Sequence, residues 1–369
     1  MNEEILYSIA LTRVLPFNSA IQNILLNQLG SAKAVFEHRH ELKELLPESS
    51  DRLIHSLTRM DEHLLRAEQE MKFAEKGHIT CLLRSDENYP ARLRECDDAP
   101  ILLYYRGNTD LNAHHIVSIV GTRHCTEYGK TLCRHFIEDL AKLLPDTLVV
   151  SGLAYGIDIN AHRQALEHGL NTVGVLAHGL DQIYPRLHRE TAVRMLSQGG
   201  LLTEFMSEST AEKVNFVSRN RIVAGMADAV VVVESKAKGG GLITASIAMD
   251  YSRDVFAVPG RIGDEYSEGC NQLIRDNKAN LLQNAEEFVT LMGWGTSNHQ
   301  KKSIQREIFP QLSPEENLIY KALKDSEGKH INQLTVETNL PVGKLSSLLF
   351  ALEMRGVVRP LSGGTYRLA

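Results

Sequence analysis

The stretch Lys213–Thr244, KVNFVSRNRIVAGMADAVVVVESKAKGGGLIT, gathers most of the chain's candidate chemistry. At helical spacing Lys213, Phe216 and Asn220 share one face within about two turns, so a cation, a flat aromatic and an amide come together. Arg219 and Arg221 add charge to the same segment. That mixture suits a polyanion with stackable bases. The apolar, β-branched run ADAVVVVES reads as a strand covered on both faces. Beyond it, Gly239, Gly240 and Gly241 stand just before the apolar-periodic LITASIAMDYS. A helix start at this point, with Gly240, Gly241 and Thr244 in its first turns, would present unpaired backbone N–H groups to an anion such as phosphate.

Two further glycine turns follow apolar strands. In SIVGTRHCTEYGKT, Gly121, Thr122 and Arg123 fall at a strand end, with Thr126 placed to cap the next helix. Gly129-Lys130-Thr131 is not the end of a P-loop, because the first glycine of that motif would have to stand at His124. Nor is the turn a dinucleotide fingerprint, since Arg123 occupies the place where a glycine must admit a pyrophosphate. Nucleoside triphosphate and NAD are both disfavoured, and no cofactor is expected. In VVSGLAYGIDINAH, Ser151, Gly152 and Gly156 precede a helix that carries Asp158 and His162 at i and i+4. That pair could bind a metal or transfer protons. Without a third ligand nearby, a capping and hydrogen-bonding role is favoured over a metal site.

These turns need a sheet to hold them on one rim. From His114 the strands HHIVSIVG, DTLVVSG, NTVGVLAHG, GGLLTEF, ADAVVVVES and RDVFAVPG alternate with helices, the pattern of an α/β, doubly wound parallel sheet of extended Rossmann-like type. HITCLLR and ILLYYRG, from Gly77 onward, predict extra strands of the same unit, which spans residues 76–294. Residues 1–75 read as helical: either a helix-hairpin-helix-like or SAM-like module binding DNA backbone through hairpin N–H groups, or a helical packing domain. Gly30 should end one helix and Ser31 cap the next. Residues 295–312 are polar and aperiodic, a linker. Residues 313–369 give three short helices and a hairpin, the order of a winged helix, whose third helix offers Lys344 and Arg355 against Glu353. Reading DNA and docking a protein are both open to it.

Composition sets the limits. The chain has 369 residues, 43% hydrophobic and 23% charged, enough for a sizeable core. No apolar run reaches the roughly eighteen residues needed to span a bilayer, and the start carries early acids, so a cytoplasmic protein is expected. Five cysteines without a CxxC pair predict reduced thiols rather than a disulfide framework or zinc knuckle. The net charge of −6 gives no long-range pull on nucleic acid, so any such binding must come from a local pocket.

Taken in order, VSIVGTR, VSGLAYGIDINAH, GLDQIYP, NFVSRNRIVAG, GGGLITASIA and DVFAVPG resemble the DprA (Smf) family of DNA-processing proteins. YPARL and PILLYYRG are similar to that family's lead-in. The resemblance implies a single-stranded DNA binder without catalytic activity. It would guard incoming DNA in natural transformation, load the RecA recombinase onto it, and work as a homodimer through the Rossmann-like domain. Carried over by motif, the DNA site comprises Gly121, Arg123, Ser151, Gly152, Lys213, Phe216, Arg219, Asn220, Gly240, Gly241 and Thr244. Arg123 and Arg219 would contact phosphate, Phe216 would stack a base, and the glycine loops would donate N–H groups. Two features depart from the family pattern: GGGLIT stands in place of SGSLIT, and the GLD…YP…N box ends here in His188. The alternative is a nucleoside-monophosphate phosphoribohydrolase-like enzyme, whose site Glu234 before the glycine run superficially echoes, although PGGxGT is missing. A third reading is a scaffold whose outer domains bind proteins while the sheet is inert.

Overall fold

Nine short runs, most of them rich in β-branched and aliphatic residues, pair into one sheet. The structure, a computed structural model, describes residues 2–295 and 312–368 apart from 46, 48, 325, 327, 362 and 363. The strands are β1 (Thr80–Leu83), β2 (Leu102–Gly107), β3 (Ile116–Val120), β4 (Leu148–Gly152), β5 (Thr172–Val175), β6 (Gly199–Thr203), β7 (Ala229–Val232), β8 (Asp254–Ala257) and β9 (Asn280–Leu281). Their order is β1-β2-β6-β5-β4-β3-β7-β8-β9. The pairs β1–β2 and β2–β6 are antiparallel and the rest parallel. From β3 the chain winds outward through β4 and β5 to β6, then returns to place β7 beside β3 and winds the other way. The strand order therefore reverses between β3 and β7, where open α/β sheets bind ligands.

Both faces of the central strands are buried, as their unbroken apolar pattern requires. In β3, Ile116 packs into one core and Val117 and Ile119 into the other; in β7, Val230 and Val232 oppose Ala229 and Val231. This two-sided burial holds the strand ends, and the turns they carry, in fixed relative positions.

Residues 1–76 form the helices Glu3–Val14, Ser19–Leu29, Ala32–Glu37, Leu42–Leu45, Asp51–Thr58 and Leu64–Lys76. Gly30 ends the second at φ 91°, and the Ser31 hydroxyl accepts from Ala34 N–H, as expected. Two N–H groups just after the hairpin glycine are taken within the protein. Glu4 accepts from Ala32 N at 2.6 Å and Lys33 N at 3.1 Å. Ile9, Leu11, Leu57 and Ala67 share one core with Leu83, Leu102, Tyr104 and Met206, so the helices and the sheet's antiparallel edge form one layer within a compact unit, Met1–Gly295.

The second unit holds the helices Pro314–Leu323, Ile331–Thr338 and Val342–Met354. Its three-stranded sheet consists of β10 (Lys329–His330), β12 (Thr365–Leu368) and β11 (Val358–Leu361), in that order. This is the winged helix read from the sequence. The linker expected at 295–312 falls almost wholly outside the described residues. All five cysteines are free, and burial pushes Cys81, Cys133 and Cys270 up to about 12.

Candidate nucleic-acid interface

At the carboxyl ends of β3 and β7, a cleft of about 630 Å³ opens. Three helices begin at its rim, and none has a side-chain cap: Ile157–Glu167, Lys213–Met226 and Gly240–Asp250. Their positive ends therefore face the space above the sheet. The sequence explains the missing caps. Gly156, Glu212 and Gly239 stand at the N-cap positions, and the two glycines have no side chain to turn back on the helix. A Cβ on Gly121 would lie 2.6 Å from Ile157 Cγ1, and one on Gly156, at φ 79°, would lie 2.1 Å from Thr122 O. Only glycines let these turns pack so closely.

Ten of the eleven expected residues line the cleft: Gly121, Arg123, Gly152, Lys213, Phe216, Arg219, Asn220, Gly240, Gly241 and Thr244. Ser151 is the exception. Its hydroxyl donates to Ile119 O at 2.6 Å and is fully buried. It braces β4 against β3 and does not line the cleft.

The cations divide by burial. Arg123 and Lys213 are exposed, and among the described residues neither has a carboxylate within 4.0 Å. Arg123 lies 4.8 Å from the Phe216 ring centroid, a cation–π contact that holds both groups at the mouth. Arg219, expected to contact phosphate, lines the cleft but is buried. It is 4% exposed, donates through Nη1 to Val175 O, and packs with Asp158 against Gly152, while its Nε has no partner. Burial raises the Asp158 carboxyl, and the Arg219 charge opposes that rise. Arg219 is thus a floor charge, masked from solvent by its neighbours. Arg221 leaves the cleft altogether: it pairs with Glu204, donates to Asp98 O and reaches Ser19 Oγ at 3.1 Å. Two residues apart and about 200° around one helix, these two arginines point opposite ways.

His162 is a structural residue. Its Nε2–H donates to Gly152 O at 2.5 Å and its Nδ1 accepts from the Thr172 hydroxyl at 2.7 Å. Burial pulls its pKa down to about 4. Among the described residues no group of three or more His, Cys, Asp or Glu could hold a metal. His188, the departure from the family box, donates Nδ1–H to Leu153 O at 2.9 Å and so ties two rim loops together. Sequence reasoning missed Asp158 as a wall residue and Lys236. Lys236 is bound to Glu265 at 2.6 Å, and its position three residues before Gly239 was the available signal.

Glu234, the residue that echoed a hydrolase, holds the N-cap residue of a helix instead. Its carboxylate accepts from Thr126 N at 2.8 Å and from the Thr126 hydroxyl. It does not line the cleft. A second cavity of about 580 Å³, between the N-terminal helices and residues 204–215, sets Glu204, Glu208 and Glu212 against Arg13 and Arg66. That balance does not favour a polyanion.

Residues 80–293 match the family model for DNA recombination-mediator protein A. The chain belongs to that family. Residues 309–364 also match the DprA winged helix domain. Among the family's members, DNA processing protein DprA of Streptococcus pneumoniae is 40% identical over 204 residues, covering 55% of this chain and 71% of that one. Protein Smf of Escherichia coli K12 is 33% identical over 310 residues, covering 82% and 80%. The X-ray structure of DprA from S. pneumoniae superposes with a TM-score of 0.60 at 30% identity, covering 74% of this chain and 95% of that one. A structure of DNA processing protein A from Helicobacter pylori, whose subject is its single-stranded DNA binding mode, gives a TM-score of 0.53 at 30% identity over 59% and 97%.

Proposed function

We propose that the cleft between β3 and β7 binds single-stranded DNA, and that the protein is a non-catalytic recombination mediator. In this reading it protects incoming DNA and loads the RecA recombinase onto it in natural transformation, acting as a homodimer through the sheet unit. One observation carries the DNA reading. Two cations with no carboxylate within 4.0 Å among the described residues, Arg123 and Lys213, flank a half-buried aromatic, Phe216, at the mouth of a cleft onto which three uncapped helices open. Phosphates neutralise the cations and helix ends, and bases stack on the ring, at about 1–3 kcal/mol each. The H. pylori relative's single-stranded DNA binding supports the same class of ligand. Glu234, held by Thr126, counts against a phosphoribohydrolase.

Titration of a fluorescent oligothymidylate tests the reading. Lys213→Ala and Arg123→Ala should each weaken binding and lower the salt slope by roughly 0.7 if one phosphate contact is lost, with the thermal transition unchanged. Arg219→Ala is a poor probe, because removing a buried charge beside Asp158 unfolds as readily as it unbinds. Both surface mutants binding like wild type would refute the site. Capture of the recombinase by the DNA-bound protein, and its failure with DNA absent, separates loading from simple binding.

A further inference from the structure

Tyr184 and the cations that follow it belong to no contact described so far. The segment Tyr184-Pro185-Arg186-Leu187-His188-Arg189 interleaves an aromatic with two cations, and His188 Nδ1 pins it to Leu153 O. Upstream, Tyr184 N–H donates to the buried His178 Nε2 at 3.2 Å, and Gln182 Nε2 donates to Ser209 O at 3.0 Å. The loop is thereby moored to the approach to the Lys213–Met226 helix. The Tyr184 side chain is nevertheless 47% exposed. Its ring meets Phe216 edge to face, with centroids 6.1 Å apart and planes at 61°. Its hydroxyl takes part in none of the described hydrogen bonds. Arg186 and Arg189 are exposed, and among the described residues neither has a carboxylate within 4.0 Å.

A tyrosine kept for packing would bury its ring and pair its hydroxyl. Here the contact with Phe216 uses one edge and leaves ring surface open beside two uncompensated cations. Arg123 already lies over Phe216, so Phe216 links Arg123 inside the cleft to Tyr184, which lies outside its lining.

We propose that Tyr184 is a second base-stacking platform, and that Arg186 and Arg189 hold the phosphates of a single strand leaving the cleft across the 184–189 segment. The proposal rests on the single-stranded DNA reading of the cleft and adds a path to it. Bound nucleotides would then occupy two contiguous subsites, one inside the cleft at Phe216 and one on the rim at Tyr184.

The test uses the full chain and a fluorescein-labelled oligothymidylate of about 20 nucleotides, with a parallel series carrying one abasic residue at successive positions. Tyr184→Ala should weaken binding of the intact oligomer roughly tenfold, the loss of one stacked base. Tyr184→Phe, which keeps the ring, should restore it. One abasic position should weaken wild type but cost Tyr184→Ala nothing further, a coupling that mere loosening of the loop would not produce. Arg186→Ala with Arg189→Ala should lower the salt slope by roughly 1.4, for two phosphates. If Tyr184→Ala binds like wild type, or the abasic penalty persists in it, the rim subsite is refuted while the cleft reading stands. If wild type binds no oligothymidylate, both fall together.

Discussion

Residue identity and residue role part company most clearly along the Lys213–Met226 helix. Lys213, Arg219 and Arg221 are equivalent as letters, yet one is exposed at the cleft, one lies beneath it and one crosses to the N-terminal helices. Helical spacing predicts which side chains share a face. It does not predict which face a neighbouring layer will cover, and Arg221 is buried by residues some two hundred positions away. Ser151 and Glu234 were obscured in the same way, by partners at Ile119 and Thr126 that only the tertiary structure supplies. His162, by contrast, was legible as a structural group. Its folded pKa of about 4 lies below the ordinary value near 6.5, so the unfolded chain takes up the proton first. Its contribution to stability is complete above pH 6.5 and is lost as pH falls from there toward 4, on the order of 3 kcal/mol at full effect. Denaturant melts across that window should show His162→Gln with a shallower pH dependence than wild type.

Elements were easier to read than residues. The six parallel strands from β3 to β8 follow from apolar runs bounded by turn residues, and the antiparallel pair β1 and β2 from shorter runs beside Pro90 and Pro100. The misses were short. β9 has two residues and exists through its pairing with β8. The helix Asp51–Thr58 has only two turns. The SAKAVFEHRHELKELL run, within the front read as helical, breaks after Glu37. The glycine start of Gly240–Asp250 yields a prediction on its own scale. A Cβ on Gly241 would meet Gly121 Cα at 3.4 Å, ordinary contact, whereas one on Gly121 would meet Ile157 Cγ1 at 2.6 Å. Gly241→Ser should fold normally and tighten oligothymidylate binding about threefold to tenfold by adding a hydroxyl donor. Gly121→Ala should lose about 1–3 kcal/mol of stability by overpacking, seen as a lower melting temperature.

The whole molecule carries a net charge of −6 and still presents a basic cleft, so its field is local. Salt should therefore weaken binding through a few contacts near the cleft, without the steep long-range attraction of a basic protein. In the winged-helix unit, Lys344 is held by Glu315 and Arg355 by Glu316 at 2.8 Å, and the third helix exposes Phe350 and Met354, while Arg359 and Arg367 on the hairpin are exposed with no carboxylate within 4.0 Å among the described residues. Its sequence left DNA reading and protein docking open, and the structure supplies features for both. Ending the chain at Pro310 should leave oligothymidylate affinity within about twofold of wild type by fluorescence titration; a larger loss would move the main contact into the tail. The sequence suggested a boundary near residue 75, because composition changes there; it could not reveal that both sides fill the same core.

The layer shared by the front helices and the sheet's antiparallel margin has a practical bearing on any shortened form of this protein. Leu83, Leu102, Tyr104 and Met206 meet water only if those helices are absent. A fragment begun at Thr80, where the family match starts, would present a greasy flank in place of a sealed one and should clump at concentrations where the intact chain stays monodisperse.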